Sequence, residues 1–311
     1  MILILILYFC LACGFAFGKA ALTYMPPLLF VGIRMLIAGL LLVGYQFLFK
    51  KERLRIEPQD RALFAGMCLF HIYGAYVLEY WAMQYVSSFK ASLLYNLSPF
   101  VTALLAYLFC REIMTQRKWL GLIVGCIGML PTLMESEPQE STGGALYWMS
   151  YAECALIGSV ICAALGWILM KKLVQANAYS PVMVNGISMV VGGGMALLTS
   201  FIFELWPNVW IQTDHQLSFS PGLMTALFYM FLLILLCNII SYNLYGILLR
   251  SHSATFLSFA GFLTPLFTAA LSSFFFGQSP SIWFFVSVAI VGYGLYLFYG
   301  EELRLSEQSS I

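Results

Sequence analysis

Apolar residues run along this chain in ten long blocks, without the strict alternation of a strand. Cut at charged or turn-rich clusters, the blocks are 2–21, 27–48, 62–84, 88–109, 118–135, 149–170, 181–204, 221–248, 253–276 and 281–300. Each approaches the roughly 20 residues that a helix needs to cross the hydrocarbon core of a bilayer. None is strongly amphipathic, as expected of helices bundled in lipid. Pro26-Pro27, Ser180-Pro181, Ser220-Pro221 and Ser279-Pro280 precede or open blocks, which suits helix starts. The pattern predicts an all-α integral membrane fold.

Two stretches recur. Pro27-x4-Gly32-Ile33-x-Met35-x3-Gly39 matches Pro181-x4-Gly186-Ile187-x-Met189-x3-Gly193, and Leu97-Ser98-Pro99-x2-Thr102-Ala103 matches Leu263-Thr264-Pro265-x2-Thr268-Ala269. The second match extends to Gly128 and Gly294 at the same shift. Spans 1–5 therefore repeat as spans 6–10. Five is odd, so the second copy enters the membrane from the opposite side. That makes an inverted-topology repeat of the kind found in secondary transporters. The expected organisation is ten transmembrane helices as two inverted five-helix repeats, 1–148 and 149–301, with a short cytoplasmic tail over 302–311.

Composition sharpens the class. Of 311 residues, 61% are apolar and only 9% charged, against about 25% charged in a soluble domain. Soluble enzymes and disulfide scaffolds fit poorly. A net charge of +1 offers no basic face for nucleic acid. Twelve of the fifteen Lys and Arg residues, including the cluster from Lys50 to Arg61, fall in loops or ends on one side. The positive-inside rule then puts both termini in the cytoplasm. All eight cysteines lie in or beside apolar runs, and Cys10-x2-Cys13 reads as two small hydrophobes. Met1 to Tyr8 holds no Lys or Arg, which argues against a signal peptide.

The charges left inside the spans carry the candidate chemistry, because each costs roughly 2.5–3.5 kcal/mol at a helix centre. Glu79 stands among Tyr76, Tyr80 and Trp81 in span 3. It reads either as a carboxylate for a cationic substrate group or as an interfacial residue in an aromatic belt. Arg34, two turns into span 2, reads as a partner for Glu79 or a substrate carboxylate, or as a structural clamp. Lys19 ends span 1 and either lines the entrance or snorkels outward. Glu153 suits the outer interface. His71 reads as packing or a proton relay, with no metal site expected around it. In span 4, Ser92, Asn96, Pro99, Ala103 and Ala106 form a small, polar stripe, either a cavity wall or a close packing face. Pro99 withholds a donor from the carbonyl of Tyr95, and Pro265 from that of Gly261, so both are candidate hinges for alternating access. Asn238, Tyr242 and Asn243 add polar groups to span 8. Gly14-x3-Gly18 and Gly121-x3-Gly125 are packing motifs. No Walker A, Gly-x-Ser-x-Gly or His-Glu-x2-His pattern occurs, so neither ATP drive, an enzyme activity nor a cofactor is expected.

Three stretches resemble the drug/metabolite transporter superfamily, in its ten-helix EamA-type branch. They are Met25-Pro26-Pro27 through Arg34 and Ala38-Gly39; Ser92 through Cys110-Arg111-Glu112 with Trp119-Leu120-Gly121 and Gly128; and Tyr242-Asn243 through Ser253-Ala254-Thr255, Thr264-Pro265 and Gly277. The family usually carries Gly-Glu after both proline-bearing helices, whereas this chain has Arg111-Glu112 and Gly277-Gln278. The resemblance implies a cavity walled by helices 1, 3, 4, 6, 8 and 9. It also implies peripheral or homodimer-facing helices 5 and 10, and a bacterial inner membrane. The expected function is secondary transport of a small zwitterionic metabolite. Substrate-binding candidates are Glu79, Tyr76, Tyr80, Ser92, Asn96, Asn238 and Tyr242; Arg34 and Lys19 are candidates for charge pairing or gating. Amino acids fit, and so does S-adenosylmethionine, which some superfamily members in intracellular bacteria carry. A broad efflux pump, an intramembrane enzyme and a sensor are the alternatives.

Overall fold

A computed structural model of the chain describes residues 2–50, 56–110, 115–134, 145–146, 149–175, 179–205, 221–251, 257–258 and 260–308. Among the described residues ten helices follow one another. They are α1 (Ile2–Ala21), α2 (Pro27–Tyr45, prolonged by Gln46–Lys50), α3 (Pro58–Ala82), α4 (88–110) and α5 (Gln116–Met134), then α6 (Tyr151–Val174), α7 (Pro181–Leu205), α8 (221–248), α9 (Leu263–Phe276) and α10 (Ile282–Gln308). Seven of these are long and apolar enough to cross a membrane, and α9 is a shorter apolar helix. The surface is inverted relative to a soluble protein. Phe49, Leu198, Phe203, Met224, Phe274 and Tyr296 are exposed, while Arg34, Lys90, Ser159, Asn185 and Asn238 are buried. Lipid solvates the apolar exterior, and polar groups find partners only inside the bundle.

Three details depart from the sequence pattern. A two-stranded hairpin, β1 (Ala145–Leu146) paired antiparallel with β2 (Met149–Ser150), precedes α6. Ser150 then caps α6: its hydroxyl accepts from Glu153 N, and Glu153 accepts from Ser150 N. The expected tail is helical through Gln308 as a continuation of α10. Within block 253–276, helix α9 begins at Leu263, and residues 253–256 and 259 lie outside the described ones. Arg111-Glu112, the acidic loop 135–144, Asp214, His215 and His252 lie outside the described residues.

The packing obeys a pseudo-twofold rule that sends each helix of the first half to its counterpart five helices later. α2 packs on α7, α5 on α10 and α4 on α9, each a helix on its own counterpart. The pair α1–α9 is mirrored by α6–α4, and α3–α6 by α8–α1. The first of the repeated blocks, 27–39 with 181–193, is itself the α2–α7 contact. A Cβ on Gly39 would lie 2.6 Å from Val190 N, so only glycine permits this crossing. The Gly121-x3-Gly125 motif is used within the chain, against Gly294 of α10.

Helices α3, α4, α8 and α9 are irregular at matching places. In α4 a 3₁₀ turn, Tyr95–Leu97, separates Ser88–Leu94 from Ser98–Cys110. Pro99 cannot donate to Tyr95 O, and the tightened turn lets Ser98 N donate instead. Before α9 the same compensation occurs, with Thr264 N donating to Gly261 O at 2.8 Å. The two carbonyls that proline cannot serve thus each accept from the backbone N–H of the residue before the proline. Gly277, at φ 64°, ends α9 with the left-handed cap that only glycine adopts cheaply. In α3 and α8, π-helical stretches at Met67–Gly74 and Ile234–Ser241 occupy equivalent positions. Such stretches recur at functional sites because they re-aim the side chains that follow.

Hydrogen bonds show which loops share an end. Tyr179 before α7 donates to Asp60 before α3 at 2.7 Å, and Arg250 after α8 reaches Tyr179 O at 3.2 Å. The opposite end is tied by Ser88 and Ser272, 2.8 Å apart, and by Glu204 of α7. Glu204 accepts from Leu28 N and Leu29 N at 2.9 Å, capping α2 across the pseudo-twofold.

Candidate functional site

The local irregularities converge on one cavity of about 110 Å³. By this measure a single water needs about 10–15 Å³, so the space admits several waters or part of a small molecule. Its wall comes from α1, α3, α4, α6 and α8, from the turn before α9, and from one residue of α2, Arg34. Tyr95, Asn96 and Ser98 enter at the 3₁₀ break of α4, and Ser258, Gly261 and Thr264 at the break before α9. Ala75, Tyr76 and Tyr242 enter just beyond the π-helical stretches.

Arg34 is completely buried. Its Nη1 donates to Tyr80 Oη at 2.6 Å, and Tyr80 donates onward to Gly14 O at 3.2 Å. Gly18 makes room for that ring: a Cβ there would lie 2.6 Å from Tyr80 Oη. The guanidinium lies 4.7 Å from the Tyr80 ring centre, 5.0 Å from Tyr76 and 5.6 Å from Phe30. Three aromatic faces thus offset part of the cost of desolvating the cation. Its Nε and Nη2 have no hydrogen-bond partner among the described residues. An idle, planar pair of donors on a cavity wall suits a carboxylate, which takes two parallel bonds.

Glu79, one residue before Tyr80 and turned toward α4, accepts from Tyr95 Oη at 2.8 Å. The Tyr95 hydroxyl also meets Ser159 Oγ, which donates to Ala75 O at 2.8 Å. Helices α3, α4 and α6 are thereby joined at the carboxylate. Arg34 and Glu79 share the cavity but each is held by its own tyrosine, so among the described residues no ion pair consumes the two charges. Asn96 Nδ2 adds another donor with no partner among the described residues, on the same wall.

The second half adds a stacked ring pair to the tyrosines of the first. Trp167 of α6 stacks on Tyr245 of α8, with centroids 3.7 Å apart and planes at 15°. Tyr242 lies 5.3 Å from Trp167 and 6.1 Å from Tyr76. Trp167, Tyr245, Tyr95, Tyr8 and Cys237 line the cavity, though inspection of the sequence does not single them out. Trp167 and Tyr245 fall in apolar runs where nothing separates a wall residue from a packing residue.

The remaining expected positions lie elsewhere. Ser92 is buried off the cavity and bonds to Phe89 O, because the 3₁₀ turn breaks the stripe between Ser92 and Asn96. Asn238 sits within the π-helical stretch and contacts Met35 Sδ at 3.0 Å, away from the wall. Lys19 donates to Met83 O and Gln84 O at 2.6 and 3.0 Å, holding the end of α3. Pro99 and Pro265 flank the breaks without lining the cavity. His71 packs edge-on to Trp167 at 4.3 Å and stays behind the wall. Glu153, expected at the interface, forms a buried ion pair of 2.9 Å with Lys90. Lys90 carries no special signal in the sequence.

With the geometry in place, comparison with known proteins places the chain. The model of the EamA-like transporter family matches it twice, over residues 1–134 and 150–300. A Chlamydia muridarum protein named S-adenosylmethionine/S-adenosylhomocysteine transporter is 32% identical, over 94% of this chain and 88% of its own length. A protein of the same name from Chlamydia trachomatis serovar L2 is also 32% identical, over 94% of this chain and 86% of its own. An uncharacterized transporter of Bacillus subtilis is 25% identical over 83% of this chain and 77% of its own. A solved crystal structure at 13% identity covers 95% of this chain and 96% of its own with a TM-score of 0.66, and shares the fold. Two matched halves, the inverted repeat and the central cavity lead to one conclusion: this multi-pass membrane protein belongs to the EamA-like transporter family.

Proposed function

We propose that this chain carries S-adenosylmethionine and S-adenosylhomocysteine across a bacterial inner membrane by alternating access, without ATP. The observation that carries the reading is Arg34, fully buried on the cavity wall with Nε and Nη2 idle, in the same cavity as Glu79. An α-carboxylate takes the guanidinium and an α-ammonium takes the carboxylate. The names of the Chlamydia relatives supply the rest of the molecule. The excess of Lys and Arg on one side supports cytoplasmic termini. The Lys90–Glu153 end of the bundle then faces outward, and Pro99 and Pro265 lie beside the hinge turns.

Purified protein in liposomes loaded with unlabelled S-adenosylhomocysteine is expected to accumulate labelled S-adenosylmethionine. No uptake above empty liposomes would overturn the substrate assignment. Cys237 offers an independent check, because it lines the cavity and its thiol meets Cys10 O at 3.1 Å. S-Adenosylhomocysteine is expected to slow several-fold the reaction of Cys237 with a small methanethiosulfonate, which forms a mixed disulfide and releases methanesulfinate. Comparison with Cys237→Ser isolates that cysteine from the others. Identical rates with and without ligand would remove Cys237 from the site.

A further inference from the structure

We propose that the two halves of the chain divide recognition between them, the first reading a charged aminoacyl end and the second holding a flat aromatic ring on Trp167, Tyr242 and Tyr245. The proposal rests on the substrate reading above and adds the orientation of the substrate and a ring subsite.

The pseudo-symmetry itself exposes the division. The repeat that aligns Pro27 with Pro181 sets Arg34 against Ser188. The matching π-helical stretches of α3 and α8 set Glu79 against Gly246 and Tyr242 against Ala75. Both ionic groups therefore have uncharged counterparts. A side chain could not be accommodated at Gly246 without movement, since a Cβ there would lie 2.6 Å from Met170 and 2.7 Å from Pro181. Conversely, the stacked pair Trp167–Tyr245 belongs wholly to the second half. Both charges of the cavity thus come from the first half, and its stacked ring pair from the second.

Between the two ends runs a continuous aromatic wall. Arg34 lies over Tyr76, Tyr76 is 6.1 Å from Tyr242, and Tyr242 is 5.3 Å from Trp167. A substrate with a cationic centre between its amino-acid end and its base would lie along tyrosine faces, which attract cations. Trp167 is braced by Tyr245 on one side and by the edge contact with His71. The ring platform is thus preorganised, and stacking loses little freedom on binding.

Two fragments of S-adenosylmethionine separate the subsites: L-methionine carries only the aminoacyl end, and 5′-methylthioadenosine carries the base without it. Binding of each, and of S-adenosylmethionine, is measured on purified protein. Trp167→Leu and Tyr242→Leu are expected to weaken methylthioadenosine and S-adenosylmethionine about tenfold, in line with base–aromatic stacking, and methionine less than twofold. Arg34→Gln is expected to weaken methionine and S-adenosylmethionine and to spare methylthioadenosine. Tyr242→Phe, which keeps the ring, should restore wild-type binding and guards against a folding defect. Parallel loss of both fragments in every variant, as a purely structural role would give, overturns the division. Wild-type protein that binds none of the three ligands overturns the substrate reading instead.

Discussion

Glu79→Gln is expected to cut S-adenosylmethionine uptake at limiting substrate by about 30-fold or more while leaving the fold intact. The exchange is isosteric, and the amide oxygen still accepts from Tyr95, whose hydroxyl also meets Ser159. What disappears is the negative charge in a buried site. Removing one partner of a buried, hydrogen-bonded charge pair costs about 2–5 kcal/mol in binding, and each 1.4 kcal/mol is about tenfold. Initial rates in proteoliposomes give kcat/KM, and melting of the detergent-solubilised protein reports the fold. Wild-type kcat/KM in Glu79→Gln would mean that the carboxylate belongs to the scaffold between α3 and α4. A large fall in melting temperature would say the same.

The second large effect concerns stability. Lys90 and Glu153 join the start of α4 to the start of α6, with both side chains 2% exposed. Five residues separate Lys90 from Tyr95 along α4, about 7 Å at the helical rise, so the pair lies one layer beyond the Glu79 cluster. Glu153→Gln alone removes the acidic half of this buried ion pair, and breaking such a pair costs about 3–5 kcal/mol. The double variant Lys90→Met with Glu153→Gln removes both charges and keeps a residue competent for the Ser150 capping box. It is expected to recover most of the loss in denaturation of the purified protein. A single variant as stable as wild type would show that the ion pair contributes nothing. A double variant no better than the single would place the effect in the cap.

Part of the cavity wall can be anticipated from residues that break the apolar pattern. Arg34, Glu79, Tyr76, Tyr80, Asn96 and Tyr242 all reach the cavity, because polar and amphipathic groups inside a span are costly unless something uses them. The same logic misplaces Ser92, Asn238 and Lys19. Each is polar within or at the end of an apolar run, yet each is satisfied by a neighbouring helix or by its own. Helical spacing puts Ser92 and Asn96 on one face, but the turn at Tyr95–Leu97 rotates everything beyond it. In α8 the π-helical stretch similarly sends Asn238 to Met35 and Tyr242 to the cavity, although the two are four residues apart. Nor does any local signal separate Trp167 and Tyr245 from the other aromatic residues of this chain.

The sequence by itself determined the solvent, the crossings and the repeat. These follow from the scarcity of charge, the length of the apolar runs and the recurrence of Pro, Gly and Met at fixed offsets, all of which are local properties of the chain. It also identified Arg34 and Glu79 as the charges in need of an explanation. Only the tertiary structure decided that these two stay apart, each held by its own tyrosine. Only the tertiary structure paired Lys90 with Glu153 and brought Trp167 beside Tyr245. Those outcomes depend on which neighbour each side chain meets across a helix interface, and small irregularities of pitch turn that choice through a large angle.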